Sequence, residues 1–498
     1  MFFKSFDRSS TRVKDLIWVC VISLVSLGGY LIASRLTQSV GFPLDDAWIH
    51  QTYARNLGVN GEWSFIPGQA SAGSTAPLWT MVLAIGHALG TGPFLWTFLL
   101  GWMLLCSIGW AGMWWFQTIA PARPKWALAA GVLLVMEWHL VWAAASGMET
   151  ALYVLFVLLV FGWISRDQVH WFGIGCLIGL SIWIRPDGIS LLGPVIATTI
   201  LQKVPLNQKI THLIRLLSGA LLLFAPYLYW NMELTGSWWP NTFYAKQAEY
   251  AVELLEPLWK RLLEQAALPN VGVGIILLPG FIYTMIRTFR TRTWGLFWGS
   301  IWALGYLALY ALRLPVTYQH GRYVMPMMPV YFLLGLGGVI ELVKTGSRVL
   351  VIRVLSKVWL ISILGICLSF WFLGARSYAR DVAFINTEMV VVAGWVAANT
   401  ESDALIAAHD IGALGYYGER DLLDLAGLAS PEVIPFIRDE LQLARWMDER
   451  GVAYLVTFPT WYPVLTRGLT PIYQSGGAFS QAFGGENMMV YRWDIRLR

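Results

Sequence analysis

Two adjacent acids, Asp45 and Asp46, follow the first long apolar run of the chain, in Pro43-Leu44-Asp45-Asp46-Ala47-Trp48-Ile49-His50. Neighbouring carboxylates at an apolar boundary repel each other and resist desolvation, so a cation, a basic group or a proton must relieve them. A helix N-cap at Asp46 is compatible with that role. Glu149 follows in Gly147-Met148-Glu149-Thr150, and Arg185 and Asp187 flank Pro186. A later loop carries Trp239, Asn241, Tyr244 and Lys246; another carries His320, Arg322 and Tyr323. Each has a plainer reading: Glu149 as a first-turn acid, Arg185–Asp187 as a local ion pair, Trp239 and Tyr244 as interfacial anchors, Arg322 as a snorkelling side chain. Taken as a set they suit one chemistry. Cations hold a phosphate that departs as an anion, while a carboxylate takes the proton of an incoming hydroxyl. No G-x-x-x-x-G-K run is present to point to nucleotide chemistry.

The elements that must position these residues are membrane helices. Of 498 residues, 57% are hydrophobic and 13% charged, about half the charge of a soluble domain. Mean hydropathy is +0.56. Apolar runs at 16–34, 94–119, 126–145, 211–230, 271–287, 295–312, 324–343 and 357–375 approach the ~20 residues that span a bilayer. Shorter runs at 150–164, 170–184 and 188–201 join them. The segment 75–89 reaches only ~22 Å as a helix. Charge decides its role. If it crosses, nearly all later basic loops face outward; if it lies on the outer side, Arg123/Lys125, Arg166, Lys203/Lys209, Arg287/Arg290/Arg292 and Lys344/Arg348/Arg353 all fall inside with Lys4, Arg8, Arg12 and Lys14. The expectation is eleven spans in residues 1–380, the N-terminus cytoplasmic, and a first outer loop at 35–93 with interfacial helices. The net charge of +5 is scattered in loop pairs, so no nucleic-acid partner is expected. The four cysteines lie inside apolar runs, form no CxxC pair and read as buried hydrophobes.

From residue 381 the charge density rises. Residues 404–408 and 452–456 read as buried strands and 440–450 as an amphipathic helix. Residues 381–498 are therefore expected to form a small extracytoplasmic α/β domain. The fold class is an all-α polytopic membrane protein with this α/β domain at its C-terminal end.

The segments Pro43–His50, Tyr53-Ala54-Arg55-Asn56-Leu57 and Gly73-Ser74-Thr75-Ala76-Pro77-Leu78-Trp79 resemble the first-loop signature of bacterial GT-C glycosyltransferases. The nearest resemblance is to the terminal arabinofuranosyltransferase-like group. Gly147–Thr150, Arg185–Gly188, Pro240–Lys246 and Gly321-Arg322-Tyr323 continue the pattern in order, and the outer domain, with His409-Asp410-Ile411-Gly412, resembles domains attached to that group. The resemblance implies an integral plasma-membrane enzyme. It implies inverting transfer from a polyprenyl-phosphate sugar to a hydroxyl of an envelope glycan, lipid or protein on the outer face. It also implies Asp45 as general base and Asp46 as its orienting partner. Arg185, Lys246 and Arg322 would grip the phosphate, with Trp239 and Tyr244 on the sugar or the prenyl chain. Glu149, Asp187, Asn241, His320, Tyr323, His409 and Asp410 complete the expected substrate-binding set. No cofactor is assigned; a divalent cation is used by some relatives at the position of Glu149, but Asp45 with Glu149 is a thin ligand set.

Two other function classes compete. A transporter or flippase of lipid-linked glycans would place polar groups near mid-membrane in matching halves, whereas these acids cluster at one face. An assembly or sensor protein would leave the Asp45-Asp46 pair without a purpose.

Overall fold

The computed structural model describes residues 13–482 and 484–493; Lys4, Arg8 and Arg12 lie outside them. Among the described residues, six helices are long and apolar enough to cross a membrane: Val13–Thr37, Gly92–Ile119, Leu206–Thr235, Trp294–Arg313, Tyr318–Leu342 and the continuous stretch Leu350–Asn399. Two bent pairs raise the number to as many as eight: Pro124–Met136 with Trp138–Ala145, bent by 54°, and Leu258–Asn270 with Gly274–Thr291, bent by 105°. Thr150–Ile164, Trp171–Ile182 and Pro186–Leu201 are shorter apolar helices. Every segment expected to span is thus helical, and the chain is a polytopic membrane protein. Pro77–Ala88 has 12 residues, only ~18 Å of helix.

Apolar periodicity sorts these helices by depth in the bundle. Val13–Thr37 leaves Ile17, Leu24 and Ile32 exposed, and the long C-terminal helix leaves Leu355, Ile361, Leu364 and Phe372 exposed, side chains that face lipid rather than water. Met328–Leu342 is buried on nearly every side and forms the centre of the bundle. The first bend has a clear cause. Glu137 breaks the helix in an extended conformation and its carboxylate accepts from the N–H groups of His139 and Leu140, capping the next segment.

The final membrane helix, Leu350–Ile385, has 36 residues, ~54 Å at 1.5 Å per residue. That exceeds the ~30 Å hydrocarbon core. It runs through a π-helical turn, Asn386–Val390, into Val391–Asn399. Beyond it lies a five-stranded sheet in the order Asp421–Asp424, Leu405–Ala408, Tyr454–Thr457, Met489–Arg492, Pro471–Gln474. The first three strands are parallel, with Ile406 opposite Leu422 and Tyr454; the last two are antiparallel, with Leu455 opposite Tyr491. The amphipathic helix Glu440–Glu449 starts at Asp439, whose carboxylate accepts from the N–H groups of Leu441 and Gln442.

The sheet region rests on the first outer loop. Helix Asp45–Arg55 packs against helix Gly412–Tyr417. Trp48 is fully buried between them, its ring 5.0 Å from Tyr416 and 4.8 Å from Tyr417. Arg55 donates to the carbonyls of Tyr416 at 2.7 Å and Gly415 at 3.1 Å. Buried Glu388, in the π-helical turn, fixes the far edge by accepting from Met488 N at 2.8 Å and Asn487 Nδ2 at 2.9 Å.

Candidate active site

A cavity of about 1190 Å³ opens between one end of the membrane-helix bundle and the C-terminal sheet region. This is more than the few hundred Å³ a small ligand fills. Three segments converge on one wall. The first outer helix supplies Asp46, helix Asn241–Glu249 supplies Lys246, and the turn before the central helix supplies Arg322.

Asp46 Oδ2 accepts from Arg322 Nη2 and lies 3.5 Å from Lys246 Nζ. Burial pushes the Asp46 carboxyl upward, but Lys246 and Arg322 outweigh it and hold the group well below the usual carboxylate range. The phenol of Tyr323 accepts from Lys246 Nζ at 3.1 Å and from Arg322 Nη2 at 3.0 Å. Arg322 is 4% exposed, and its Nε and Nη1 are buried without any hydrogen-bond partner. A buried guanidinium with two idle nitrogens is an unfinished anion site, because each unsatisfied donor carries a desolvation penalty. The turn that presents it is strained: Gln319 and His320 have φ of 54° and 58°, a region costing of order 1–3 kcal/mol for such residues. His320 Nε2 is held 2.8 Å from Asp381 Oδ2, and its ring sits edge-on to Trp138 and Trp142.

Asp45, expected as the general base, is placed otherwise. Helix Asp45–Arg55 begins with Leu44 at its cap and no side-chain capping bond, so Asp46 is not an N-cap. Asp45 Oδ2 accepts from Gly412 N at 2.7 Å and Oδ1 from Ala413 N at 2.8 Å. Its carboxylate is the docking point of helix Gly412–Tyr417. Gly412 permits this approach, since a Cβ there would meet the Asp45 carbonyl oxygen at 2.1 Å.

Glu149, Arg185 and Asp187 form a second polar cluster that does not itself line the cavity but adjoins it through Tyr323, whose ring centroid is 5.7 Å from the Arg185 guanidinium carbon and whose hydroxyl meets Lys246 and Arg322. Arg185 Nε lies 3.1 Å from Asp187 Oδ1, its Nη2 donates to Tyr310 at 2.7 Å, and Nη1 is 3.5 Å from Glu149 Oε1. Burial opposes ionisation of Glu149, yet His50 at 3.6 Å and Arg185 hold its carboxyl below the ordinary value. Arg185 therefore braces neighbouring elements, and the phosphate grip expected of it is not geometrically free. Trp239 packs on Phe224, Tyr227 and Phe243, and Tyr244 meets Phe243 edge-on. Asn241 donates to the carbonyl of Leu428 at 3.3 Å. None of these three lines the cavity. Its aromatic surface includes instead Trp138, Trp142, Tyr250, Tyr318 and Trp461, and its extra acids are Glu249, Glu253, Asp381 and Glu440.

The sheet region closes the opposite wall. His409 Nε2 lies 3.3 Å from Glu249 Oε1, and Nδ1 is 2.8 Å from the Tyr462 hydroxyl. Burial disfavours a charged imidazole, but Tyr462 and Glu249 outweigh that and raise the His409 pKa well above its ordinary value. Asp410 also lines the cavity. Among the described residues, no three His, Cys, Asp or Glu side chains converge to hold a metal. Of the two acids the resemblance would assign to a cation, Asp45 accepts two N–H bonds, while Glu149 has Oε1 3.5 Å from Arg185 and Oε2 buried without a hydrogen-bond partner.

Comparison with solved structures gives the same architecture. ArnT from Cupriavidus metallidurans, in the crystal structure bound to undecaprenyl phosphate, matches with a TM-score of 0.60 at 14% identity, covering 96% of this chain and 98% of that one. The apo oligosaccharyltransferase of Archaeoglobus fulgidus matches with a TM-score of 0.63 at 10% identity, covering 91% and 70%. The fold is GT-C. Nothing in these likenesses marks the arabinofuranosyltransferase-like group. Residues 380–491 match a model described as a domain of unknown function, DUF8728. No curated protein sequence matches this chain.

Proposed function

We propose that the protein transfers a sugar from a polyprenyl-phosphate donor to an acceptor hydroxyl at the outer face of the plasma membrane, inverting the anomeric configuration. The observation that carries this reading is Arg322, buried at the cavity wall with Nε and Nη1 unpartnered beside Lys246. A lipid-linked phosphate satisfies those donors, and one structural neighbour, ArnT, is known bound to undecaprenyl phosphate. Residues 1–380 form the catalytic membrane domain and 381–498 the outer domain that covers it.

In the reaction, the acceptor oxygen attacks the anomeric carbon from the face opposite the phosphate. The bond from that carbon to the phosphate oxygen breaks, and the electron pair leaves with the phosphate. Charge building on the departing oxygens is met by Arg322 and Lys246, already fixed by Asp46 and Tyr323. A carboxylate on the facing wall takes the hydroxyl proton. The cavity is wide enough for donor headgroup and acceptor together. The donor sugar is a pentose or hexose phosphate of this class, arabinofuranose being the one the sequence resemblance names, and the acceptor is an envelope glycan, lipid or protein.

The test uses purified full-length protein in detergent, a panel of polyprenyl-phosphate sugars and a hydroxyl-bearing envelope extract. Wild type should move label from one donor to acceptor, and Arg322→Ala should not. Saturable donor binding with no transfer from any donor, together with translocation of the lipid in vesicles, would replace this reading with the flippase.

A further inference from the structure

The acceptor proton needs a carboxylate on the wall facing the phosphate grip, and the first-loop acids are both engaged. Asp46 is joined to Arg322 and Lys246, and Asp45 accepts two backbone N–H bonds from Gly412 and Ala413. The remaining acids of that wall separate by their contacts. Glu249 is paired with His409 at 3.3 Å, Asp381 accepts from Trp142 Nε1 at 3.0 Å and lies 2.8 Å from His320, Glu440 accepts from the N–H groups of Val464 and Leu465, and Glu253 is exposed. Asp410 stands apart: its Oδ2 is buried at the cavity and has no hydrogen-bond partner.

We propose that Asp410, carried by the C-terminal domain, is the general base that accepts the acceptor hydroxyl's proton, with Asp45 acting through the loop it docks as the positioning residue. The inference rests on the transferase reading above and specifies its base. The C-terminal domain then completes the active site, and the chemistry is divided between two parts of the chain. As the acceptor oxygen forms its bond to the anomeric carbon, its proton passes to the Asp410 carboxylate. Polyprenyl phosphate leaves with the electron pair of the broken bond, and the proton is afterwards released to water.

Geometry and electrostatics agree on this choice. Asp45 holds the N–H groups of Gly412 and Ala413, two and three residues after Asp410, and so fixes the backbone that carries the Asp410 carboxylate. The groups facing Asp410 are Asp45 and Asp46 from the first loop, Lys246 and Glu249 from helix Asn241–Glu249, and His409 beside it. Burial pushes Asp410 up to about 6, with His409 and Lys246 pulling down against Asp46 and Glu249. Burial and the facing Asp410 push Asp45 up to about 8. Burial and mutual repulsion thus raise both acids, so each ionises less readily than a free carboxyl, and the two titrate as a pair. A base titrating just below the working pH is matched to its task.

Asp410→Asn should lower kcat/KM by about 10²- to 10⁴-fold while undecaprenyl phosphate binding and thermal stability stay at wild-type level. The acid limb of the wild-type pH profile, with its midpoint near 6, should vanish from the residual activity. Asp410→Glu should recover about tenfold or more over Asp410→Asn, since it restores the carboxylate. Near-normal turnover by Asp410→Asn with the acid limb intact overturns the assignment. So does an acid limb lost in Asp45→Asn but kept in Asp410→Asn, which returns the base to Asp45. Loss of phosphate binding or stability in step with activity marks Asp410 as structural and also overturns it. A wild type that transfers no sugar at all overturns the transferase reading itself, a failure visible before any variant is made.

Discussion

Arg322 is the residue on which most of the site's energetics turn. It is buried, charged, half satisfied by Asp46 and Tyr323, and half idle. Hydrogen bonds to a charged partner contribute about 1.5–3 kcal/mol each, so filling the idle nitrogens with a phosphate is strongly favourable. Arg322→Lys keeps the charge and loses the planar fork. We expect it to weaken undecaprenyl phosphate binding by about 10- to 100-fold in a titration of the detergent-solubilised protein, with thermal stability little changed. Equal affinity in both proteins would remove Arg322 from the phosphate site. The same scale shows what the sequence leaves open at Asp45, which lines the cavity and also docks the C-terminal region. Adjacent residues on a helix point about 100° apart, so two neighbouring acids must serve different partners. Nothing in Asp45-Asp46 says which carboxylate meets the cations, because the deciding groups, Gly412 and Ala413, lie more than three hundred residues downstream.

At the scale of elements, helix Asp45–Arg55 works with two faces. Asp45, Trp48 and Arg55 meet helix Gly412–Tyr417, while Asp46 turns to Lys246 and Arg322, and His50 to Glu149 and Ser74. The first-loop pattern is thus a docking motif as much as a catalytic one. Its existence was readable from residue types and its division of labour was not. Gly412→Ala puts a methyl group against the Asp45 carbonyl, where only 2.1 Å is available. The helix contact must then open. We expect limited proteolysis to cut the region around 400–420 much faster in this variant, with thermal unfolding shifted down by several degrees, the effect of about 1–3 kcal/mol of overpacking. Unchanged proteolysis would show that the docking tolerates displacement. The strands Leu405–Ala408 and Tyr454–Thr457 were legible as apolar runs bounded by polar turns. Pro471–Gln474 is largely exposed and opens on a proline, so its pattern carries no burial signal.

Across the whole molecule, the helical segments follow directly from hydropathy, and the short Pro77–Ala88 helix agrees with its length in sequence. Which side each loop faces rests on the distribution of Lys and Arg, a force that acts during insertion and leaves no mark on the fold itself. That prediction is separately testable. With single cysteines at Gly346 and Gly468, both exposed sites, a membrane-impermeant maleimide should label only the Gly468 variant in intact cells, and both after permeabilisation. The unsubstituted chain, whose native cysteines are buried or partly so, serves as the blank. The reverse pattern would invert the topology and place the cavity on the cytoplasmic side.

The helix Leu350–Ile385 is longer than the bilayer is thick and carries Asp381 near its outer end before entering the sheet region. It behaves as a mast stepped through the membrane, with one cavity acid fixed to its shaft and the cavity's far wall at its head. A mast in a thinner or thicker bilayer answers by leaning. At the site, however, the mast is stayed to the deck: Asp381 is tied to His320 and Trp142, and the head to Asp45 and Glu249. The stays make both walls lean together, so the width of the site is uncoupled from the thickness of the lipid around it.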